Sequence, residues 1–385
     1  MPPGAQLVPP SWNIFVLTSD LLSNLTSPME TQESPQQTAL AEIGEFGLIA
    51  LMRDTLGEPD DNAIVSGIAD DAAVYRTEEG RVHVLTTDTL VEGVHFDRAF
   101  MPLEHLGFKA LSVNVSDAVA MNADPQYATV SIGIPQNVSV EMITTIYEGL
   151  KQACDAYDMT IVGGDTNASH GLSLSVSVVG DADEDAVVYR EGAQVGDKVC
   201  VTGDIGASYA GLKVLLRNRK RLEEQEDDFE PNLDPFSYVI RRHLAPPAQH
   251  KTIRQWADAG VRPHSLIDIS DGLAAEVHHI CEASEVGTQL YEPALPIDPE
   301  TRNTATEFGE DVTVYALFGG EDYELVFTMS EDELNALNPQ SYSVVGEIVE
   351  PDDPEHPVKI QRASGENVPL QPGGFDHFDD TAPGQ

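Results

Sequence analysis

Thr86-Thr87-Asp88-Thr89-Leu90-Val91-Glu92-Gly93-Val94-His95-Phe96 is the stretch on which the reading of this chain turns. It follows Arg81-Val82-His83-Val84-Leu85, where apolar and polar residues alternate as in a strand. The spacing predicts that the Thr86 and Thr87 hydroxyls and the Asp88 carboxylate arrive where a strand gives way to a loop. Hard oxygen ligands of that kind suit Mg²⁺, which takes one or two carboxylates and completes its shell with water and phosphate oxygens. Gly93 lets the backbone bend, so that His95 can point back to the same space. Alone, the segment also reads as an ordinary strand and turn, and its meaning depends on acidic turns elsewhere.

On the N-terminal side, Gly67-Ile68-Ala69-Asp70-Asp71 is either a solvated turn or a second ligand loop beside Asp88. On the C-terminal side, residues 104–121 read as a mostly buried helix carrying Lys109, Asn114 and Asp117. Asn114 and Asp117, three apart, share a face. A buried, unpaired carboxylate is costly, so Asp117 requires a cation or a strong donor. Strands are expected at 128–134 and 172–179, with a helix at about 139–157 between them. A further strand feeds Gly163-Gly164-Asp165-Thr166, where glycines permit close backbone approach and free amides for a phosphate.

The acidic stretch 181–185 reads as a domain boundary, after which Tyr189-Arg190 opens a second half. There the strand Lys198–Thr202 runs into Gly203-Asp204-Ile205-Gly206 and a helix, a weak phosphate signal by itself. Residues 217–236 read as an exposed loop or helix end. Asp268-Ile269-Ser270-Asp271-Gly272 leads from a strand into a helix near Leu273. Asp271 has the ordinary reading of a helix N-cap, whereas Asp268 lies within the strand and needs another reason. Gly319-Gly320-Glu321-Asp322-Tyr323-Glu324 is expected to join a short strand to Leu325-Val326-Phe327. Near the end, Gly374-Phe375-Asp376-His377-Phe378 forms an aromatic cluster on a glycine-rich turn.

The 385 residues suffice for two domains, and the 41% hydrophobic share marks globular material. Asp and Glu number 65 against 21 Lys and Arg, a formal charge of −44. Such a surface repels nucleic acid and anionic membranes, so neither is expected as a partner. It also repels a nucleotide unless metal ions stand between. The acids are spread along the chain, a pattern that suits a salt-rich cytoplasm. Cys154, Cys200 and Cys281 lack metal-ligand spacing and read as reduced core residues of a cytosolic protein. No apolar run is long enough to span a bilayer, and the patch Ile14–Leu17 follows no basic segment. Residues 1–40 read as a tail, with an amphipathic helix starting near Glu42. Walker-type loops, His-Glu-x-x-His and the protein-kinase signature are absent.

Six segments then fall in one order: Ala69–Ala73, Thr87–Phe96, Val113–Asp117, Gly163–Thr166, Ile267–Gly272 and Gly319–Glu324. Together they resemble the thiamine-monophosphate kinase family, in the superfamily that includes aminoimidazole ribonucleotide synthetase. The resemblance covers about residues 42–378. It implies ATP-dependent phosphorylation of thiamine monophosphate to thiamine diphosphate by direct in-line transfer, with several Mg²⁺ ions. It also implies an α+β fold in two domains and a homodimer. The N-terminal α+β domain, 41–182, supplies strands to a dimeric barrel, and a C-terminal α/β domain, 183–385, closes over the site.

Carried over by motif, Asp71, Thr86, Thr87, Asp88, Asp117, Asp165, Asp268 and Asp271 match metal ligands. Gly164, Asp165, Arg190 and Ser270 match ATP contacts, while His95, Glu321 and Phe375 match positions that hold the thiamine phosphate. Asp88, Asp165 and Arg190 are the residues expected to carry catalysis. Two departures stand out: Ala69 replaces a glycine, and Glu191 sets a competing carboxylate next to Arg190. Selenophosphate synthetases would need a reactive cysteine in an N-terminal glycine-rich loop, but the first cysteine here is Cys154. The segments Gly93–Phe96 and Phe375–Phe378 follow the kinase pattern rather than that of the ribonucleotide synthetases. A non-catalytic calcium or magnesium binder would explain the acids but not Arg190, the Gly-Gly turns or Phe375.

Overall fold

The structure, a computed structural model, describes residues 40–57, 59, 61–68, 70–224 and 231–373. The expectations for residues 1–39, Ala69 and Phe375–Phe378 lie outside these residues. After a short 3-10 turn, Leu40–Glu42, comes α1 (Gly44–Leu56). A six-stranded sheet follows, built from β1 (Ile64–Ser66), β2 (Ala73–Glu78), β3 (Arg81–Val91), β4 (Asp124–Ile134), β5 (Thr160–Ala168) and β6 (Ser173–Asp183). Its order is β1-β2-β3-β6-β4-β5, antiparallel except for β4 and β5.

Alternation sorts this sheet into two unlike faces. Val82, Val84, Leu90, Val130, Ile132, Leu174, Val176 and Val178 are buried on one face. They pack beneath α2 (Leu103–Ala120) and α3 (Val140–Tyr157). The opposite face carries the cross-strand rows Leu85–Val179–Tyr127 and Thr87–Ser177–Thr129. The two helices cross where glycines face each other's backbone. A Cβ on Gly107 would stand 1.9 Å from the Ile146 carbonyl oxygen, and one on Gly149 would stand 1.8 Å from that of Glu104. Gly149→Val is therefore expected to separate the helices. Overpacking of this kind costs about 3 kcal/mol or more, so the melting temperature, followed by circular dichroism, should fall by about 10 °C.

The second sheet comprises β7 (Lys198–Val201), β8 (Ser265–Asp268), β9 (Gly287–Tyr291), β10 (Leu325–Met329), β11 (Ser343–Val349), β12 (Val358–Gln361) and β13 (Asn367–Pro369). It runs β13-β12-β9-β11-β7-β10-β8 and is mixed, with β9 and β12 parallel among mainly antiparallel neighbours. Both faces are covered, which explains why every residue of β10 is buried. Leu325, Phe327 and Met329 join the core that continues into the N-terminal domain, whereas Val326 packs with Val199, Val201 and Ile267 on the other side. The helices here are α4 (Ala207–Glu223), α5 (Ser237–Leu244), α6 (His250–Ala259), α7 (Leu273–Ser284), α8 (Pro299–Phe308), α9 (Val312–Phe318) and the single turn α10 (Glu331–Leu334).

Several local expectations change. β3 runs on through Val91 instead of ending at Leu85, because every residue from Arg81 to Val91 has a register partner in β6. β-branched Thr86, Thr87 and Thr89 favour that extension, which places Asp88 inside a strand. Likewise Gly163-Gly164-Asp165-Thr166 lies within β5 and is not a turn. Gly164 is needed against its neighbour, since a Cβ there would meet the Val130 carbonyl oxygen at 1.9 Å. A helix, α9, precedes Gly319 where a strand was expected; Asp311 caps it by accepting from the Thr313 amide at 2.9 Å. The region 217–236 begins as the continuation of α4, with its described part up to Glu223 helical.

Candidate active site at the junction of the two domains

Helix α2 positions the N-terminal half of the site. The Asn114 side chain donates to the Ala110 carbonyl at 3.0 Å and accepts the Asp88 amide at 2.9 Å, which fixes β3 at Asp88. One turn on, Asp117 accepts from the Thr86 hydroxyl at 2.5 Å. The shared face of Asn114 and Asp117 expected from sequence is thus real, and β3 is what it grips. Ser116 reaches across the domain junction and donates to Asp268 at the end of β8, 2.5 Å away.

The turn at Asp70 and Asp71 is not solvated. Both side chains are buried against Arg190, whose backbone amide donates to Asp70 at 3.1 Å and whose guanidinium pairs with Asp71. Arg190 is thus claimed by these aspartates and not by Glu191, which is exposed and lines a separate crevice with Tyr189, Gln194, Arg262 and His264. Asp271 is no helix cap either; α7 begins without a side-chain cap. Its amide donates instead to Glu276 at 3.0 Å, and the Ser270 hydroxyl lies 3.5 Å from the same carboxylate oxygen.

These carboxylates disturb one another as buried like charges do. Burial, then Asp88 and Asp268, push Asp117 well above its ordinary range. Burial, then Asp71, push Asp268 up to about 8. Burial raises Asp70 and Asp271 to about 7, with Asp71 the next cause for the former and Glu45 for the latter. Glu276, 2% exposed, is also raised by burial, Asp271 and Asp268.

Asp71 Oδ2 and Arg190 Nε are buried without a hydrogen-bond partner among the described residues. Among the described residues, no three His, Cys, Asp or Glu side chains stand at metal-holding distances. The chemistry of the donor set nonetheless fits a hard divalent cation. It consists of carboxylate and hydroxyl oxygens, it is short of positive charge, and it includes an orphaned carboxylate oxygen.

The register separates two expected ligands from this group. Thr87 donates to the Val176 carbonyl at 3.1 Å, on the face of the sheet opposite Thr86 and Asp88. Asp165 falls in the row Thr89–Ser175–Ser131–Asp165 on that same opposite face. From β3 to β5 is three strand spacings, about 14 Å, so Asp165 does not meet Asp88 within the chain. Gly164 lies beside Asp165 on β5, at the edge of the sheet with one strand neighbour.

Of the expected acceptor-binding residues, His95 and Glu321 come together, while Phe375 lies outside the described residues. Gly93 turns the chain, its amide donating to the Phe96 carbonyl at 2.8 Å, and His95 Nδ1 accepts from the Val91 amide at 3.1 Å. His95 is close enough to Glu321 for its charge to bear on that carboxylate. Glu321 and Tyr323 both adopt left-handed backbone conformations, φ 65° and 52°, held by bonds from their amides to the Ser270 and Ile269 carbonyls at 2.6 and 2.9 Å. Asp322 between them binds the Gly206 and Ser208 amides at the start of α4.

Neither Glu276 nor Lys109 carries a sequence signal that assigns it a role. Glu276 sits one helical turn after Gly272, where an acid reads as a solvated helix residue. Lys109 stood out only as the charged residue of an otherwise apolar helix stretch.

Residues 69–182 match the AIR synthase related protein, N-terminal domain, and residues 194–359 match its C-terminal domain. Thiamine-monophosphate kinase of Aquifex aeolicus is 38% identical over 300 residues, covering 77% of this chain and 89% of that protein. The Escherichia coli K12 enzyme is 34% identical over 345 residues, covering 87% and 98%. A solved structure described as "AaThiL complexed with AMPPCP and TMP" superposes with a TM-score of 0.74 at 34% identity, over 89% of this chain and 99% of that one. No helix among the described residues is long and apolar enough to cross a membrane. With its two AIR synthase-related domains and this likeness across nearly their whole length, the chain belongs to the thiamine-monophosphate kinase family.

Proposed function

We propose that the chain transfers the γ-phosphoryl group of ATP directly to the phosphate of thiamine monophosphate, giving thiamine diphosphate. The observation that carries this reading is the buried carboxylate group contributed by both domains, Asp71, Asp117 and Asp268, with Arg190 as its cationic neighbour. Phosphoryl transfer depends on positioning and charge neutralisation more than on covalent chemistry. Asp71, Thr86, Asp88, Asp117, Asp268 and Asp271 are the residues that would hold magnesium. Bound magnesium supplies neutralising charge to the phosphates and to the acids that would otherwise repel them.

Arg190, which pairs with Asp71 here, would offset phosphate charge once that carboxylate served a metal ion. Ser270 joins it on the nucleotide side, and Glu276 keeps the Ser270–Asp271 turn in place. His95 and Glu321 hold the acceptor, with Phe375 offering a ring face to its cationic heterocycle. Thr87 and Asp165, on the open face of the first sheet, would serve nucleotide and metals from across the dimer, with Gly164 beside Asp165 on β5.

That face supports the homodimer and its barrel. It is rich in Ser and Thr, bears exposed Leu85 (43%) and Tyr127 (53%), and ends in the edge strand β5. The proposed domain boundary at 182/183 is supported by the end of β6 at Asp183. The compartment proposed is a salt-rich cytoplasm. Purified protein with ATP, Mg²⁺ and thiamine monophosphate should form thiamine diphosphate, read by chromatography. Absence of product with every component present rejects the reading.

Salt should stabilise both fold and dimer. At −44 per chain, pairing two subunits adds repulsion, and the screening length falls from about 10 Å at 0.1 M to about 3 Å at 1 M. The melting temperature is expected to climb through the molar KCl range, and sedimentation should show the dimer loosening below about 0.1 M. A flat or falling melting curve would show that the acids are already neutralised in the fold.

A further inference from the structure

We propose that Lys109 is a positioning residue for the acceptor substrate, acting through Glu321 across the domain junction. The inference rests on the proposed function, in which Glu321 holds thiamine monophosphate. Lys109 projects from the middle of α2 in the N-terminal domain and has no exposed surface. A lysine so completely sheathed needs a paired charge, because its ammonium has lost water on every side.

Its Nζ lies 2.8 Å from Glu321 Oε1 and 3.3 Å from the His243 carbonyl oxygen, both in the C-terminal half. Glu321 is therefore gripped at two points. Its main chain is kept at φ 65° by the hydrogen bond its amide donates to the Ser270 carbonyl, and its carboxylate is kept by Lys109. His243 Nδ1 stands 3.4 Å from the other carboxylate oxygen, but burial and then Lys109 push that imidazole down to about 3. It is neutral at physiological pH, so the formal charge facing Glu321 from this side is that of Lys109.

Burial alone would raise the Glu321 carboxyl; Lys109 leads the groups that outweigh it and hold it below its ordinary range. The result is a carboxylate of fixed charge and direction, close to His95, suited to a cationic heteroaromatic ring. Lys109, fully covered, does not itself reach substrate. The same contact joins α2 to the Gly319–Glu324 loop, so the relative placement of the domains sets where Glu321 points.

A double-substitution cycle tests this. Lys109→Met keeps the volume and removes the charge. It should raise KM for thiamine monophosphate about tenfold, as expected for groups in direct contact, while KM for ATP stays as in the wild type. Lys109→Met combined with Glu321→Gln should be no worse for thiamine monophosphate than Glu321→Gln alone. Effects that multiply in the double variant overturn the inference, as does a rise in both KM values together. If Lys109→Met alone does not fold, Lys109→Met/Glu321→Met against Glu321→Met gives the comparison: equal KM supports the inference and a further rise overturns it. The wild type is assayed in parallel. Wild-type turnover with multiplying effects removes this inference alone, and no wild-type turnover removes the functional reading and the inference with it.

Discussion

Asp88→Asn is expected to abolish turnover while leaving the fold in place. Asp88 lies near the middle of β3, its amide fixed by Asn114, and its charge bears on both Asp117 and Asp268. The strand ladder does not depend on the carboxylate, and asparagine has nearly the same shape, so circular dichroism should be unchanged. What is lost is one charge from the group proposed to hold magnesium. Losing it should cost about 3 kcal/mol or more of transition-state stabilisation, on the order of a hundredfold in kcat. Steady-state rates at saturating ATP and thiamine monophosphate give the comparison. A near-normal kcat would take Asp88 out of the mechanism.

The second large effect concerns pH and metal. Asp70, Asp268 and Asp271 are raised to about 7, 8 and 7, chiefly by burial and then by neighbouring acids. For an acid whose folded value is raised, the folded state binds the proton more tightly than the unfolded chain. The stability this gives is complete below the unfolded carboxylate range, near 4, and is lost as pH rises through the folded value. In chelator, the melting temperature should therefore fall between pH 5 and pH 9. Over that window the carboxylates held low, such as Glu321 and Asp124, stay ionised and add no slope, whereas His243 and His279, pushed down to about 3 and about 4, oppose the fall only below the unfolded histidine value near 6.5. Each tenfold gain in proton affinity on folding is about 1.4 kcal/mol, and several buried groups act together, so a drop of about 10 °C is expected. Adding Mg²⁺ should recover most of it, and most strongly at the alkaline end. A melting temperature that does not respond to pH in chelator would show that these aspartates are not competing for protons.

The parts legible in the sequence were those fixed by local pattern. Asn114 and Asp117 share a helix face by their spacing, and the burial of that helix already required a donor for Asp117, which Thr86 provides. Asp268 looked out of place within a strand and proved to be one of the most buried acids in the chain. Less legible was anything set by long-range register. Asp88 and Asp165 both sit in acidic glycine- or threonine-rich segments, yet pairing through β6 and β4 sends them to opposite faces.

Turn-like composition also misled. The Thr86–Asp88 segment is strand because β6 pairs β3 along its whole length, and Gly163–Thr166 is strand because β4 pairs β5 from Gly163 to Ala168; these ladders override the preference of Asp and Gly for turns. Nor does any local signal mark the partner of Lys109, which lies 212 positions away on a backbone turn that only the folded chain imposes.

The most direct test is calorimetric titration of Mg²⁺ at pH 8 in the presence of a non-hydrolysable ATP analogue. Wild-type protein is to be compared with Asp117→Asn/Asp268→Asn, both substitutions keeping side-chain shape and removing buried charge. The account predicts more than one ion per chain for the wild type, with fewer ions and weaker binding in the double variant at unchanged circular dichroism. Equal ion number and affinity in the two proteins would contradict it.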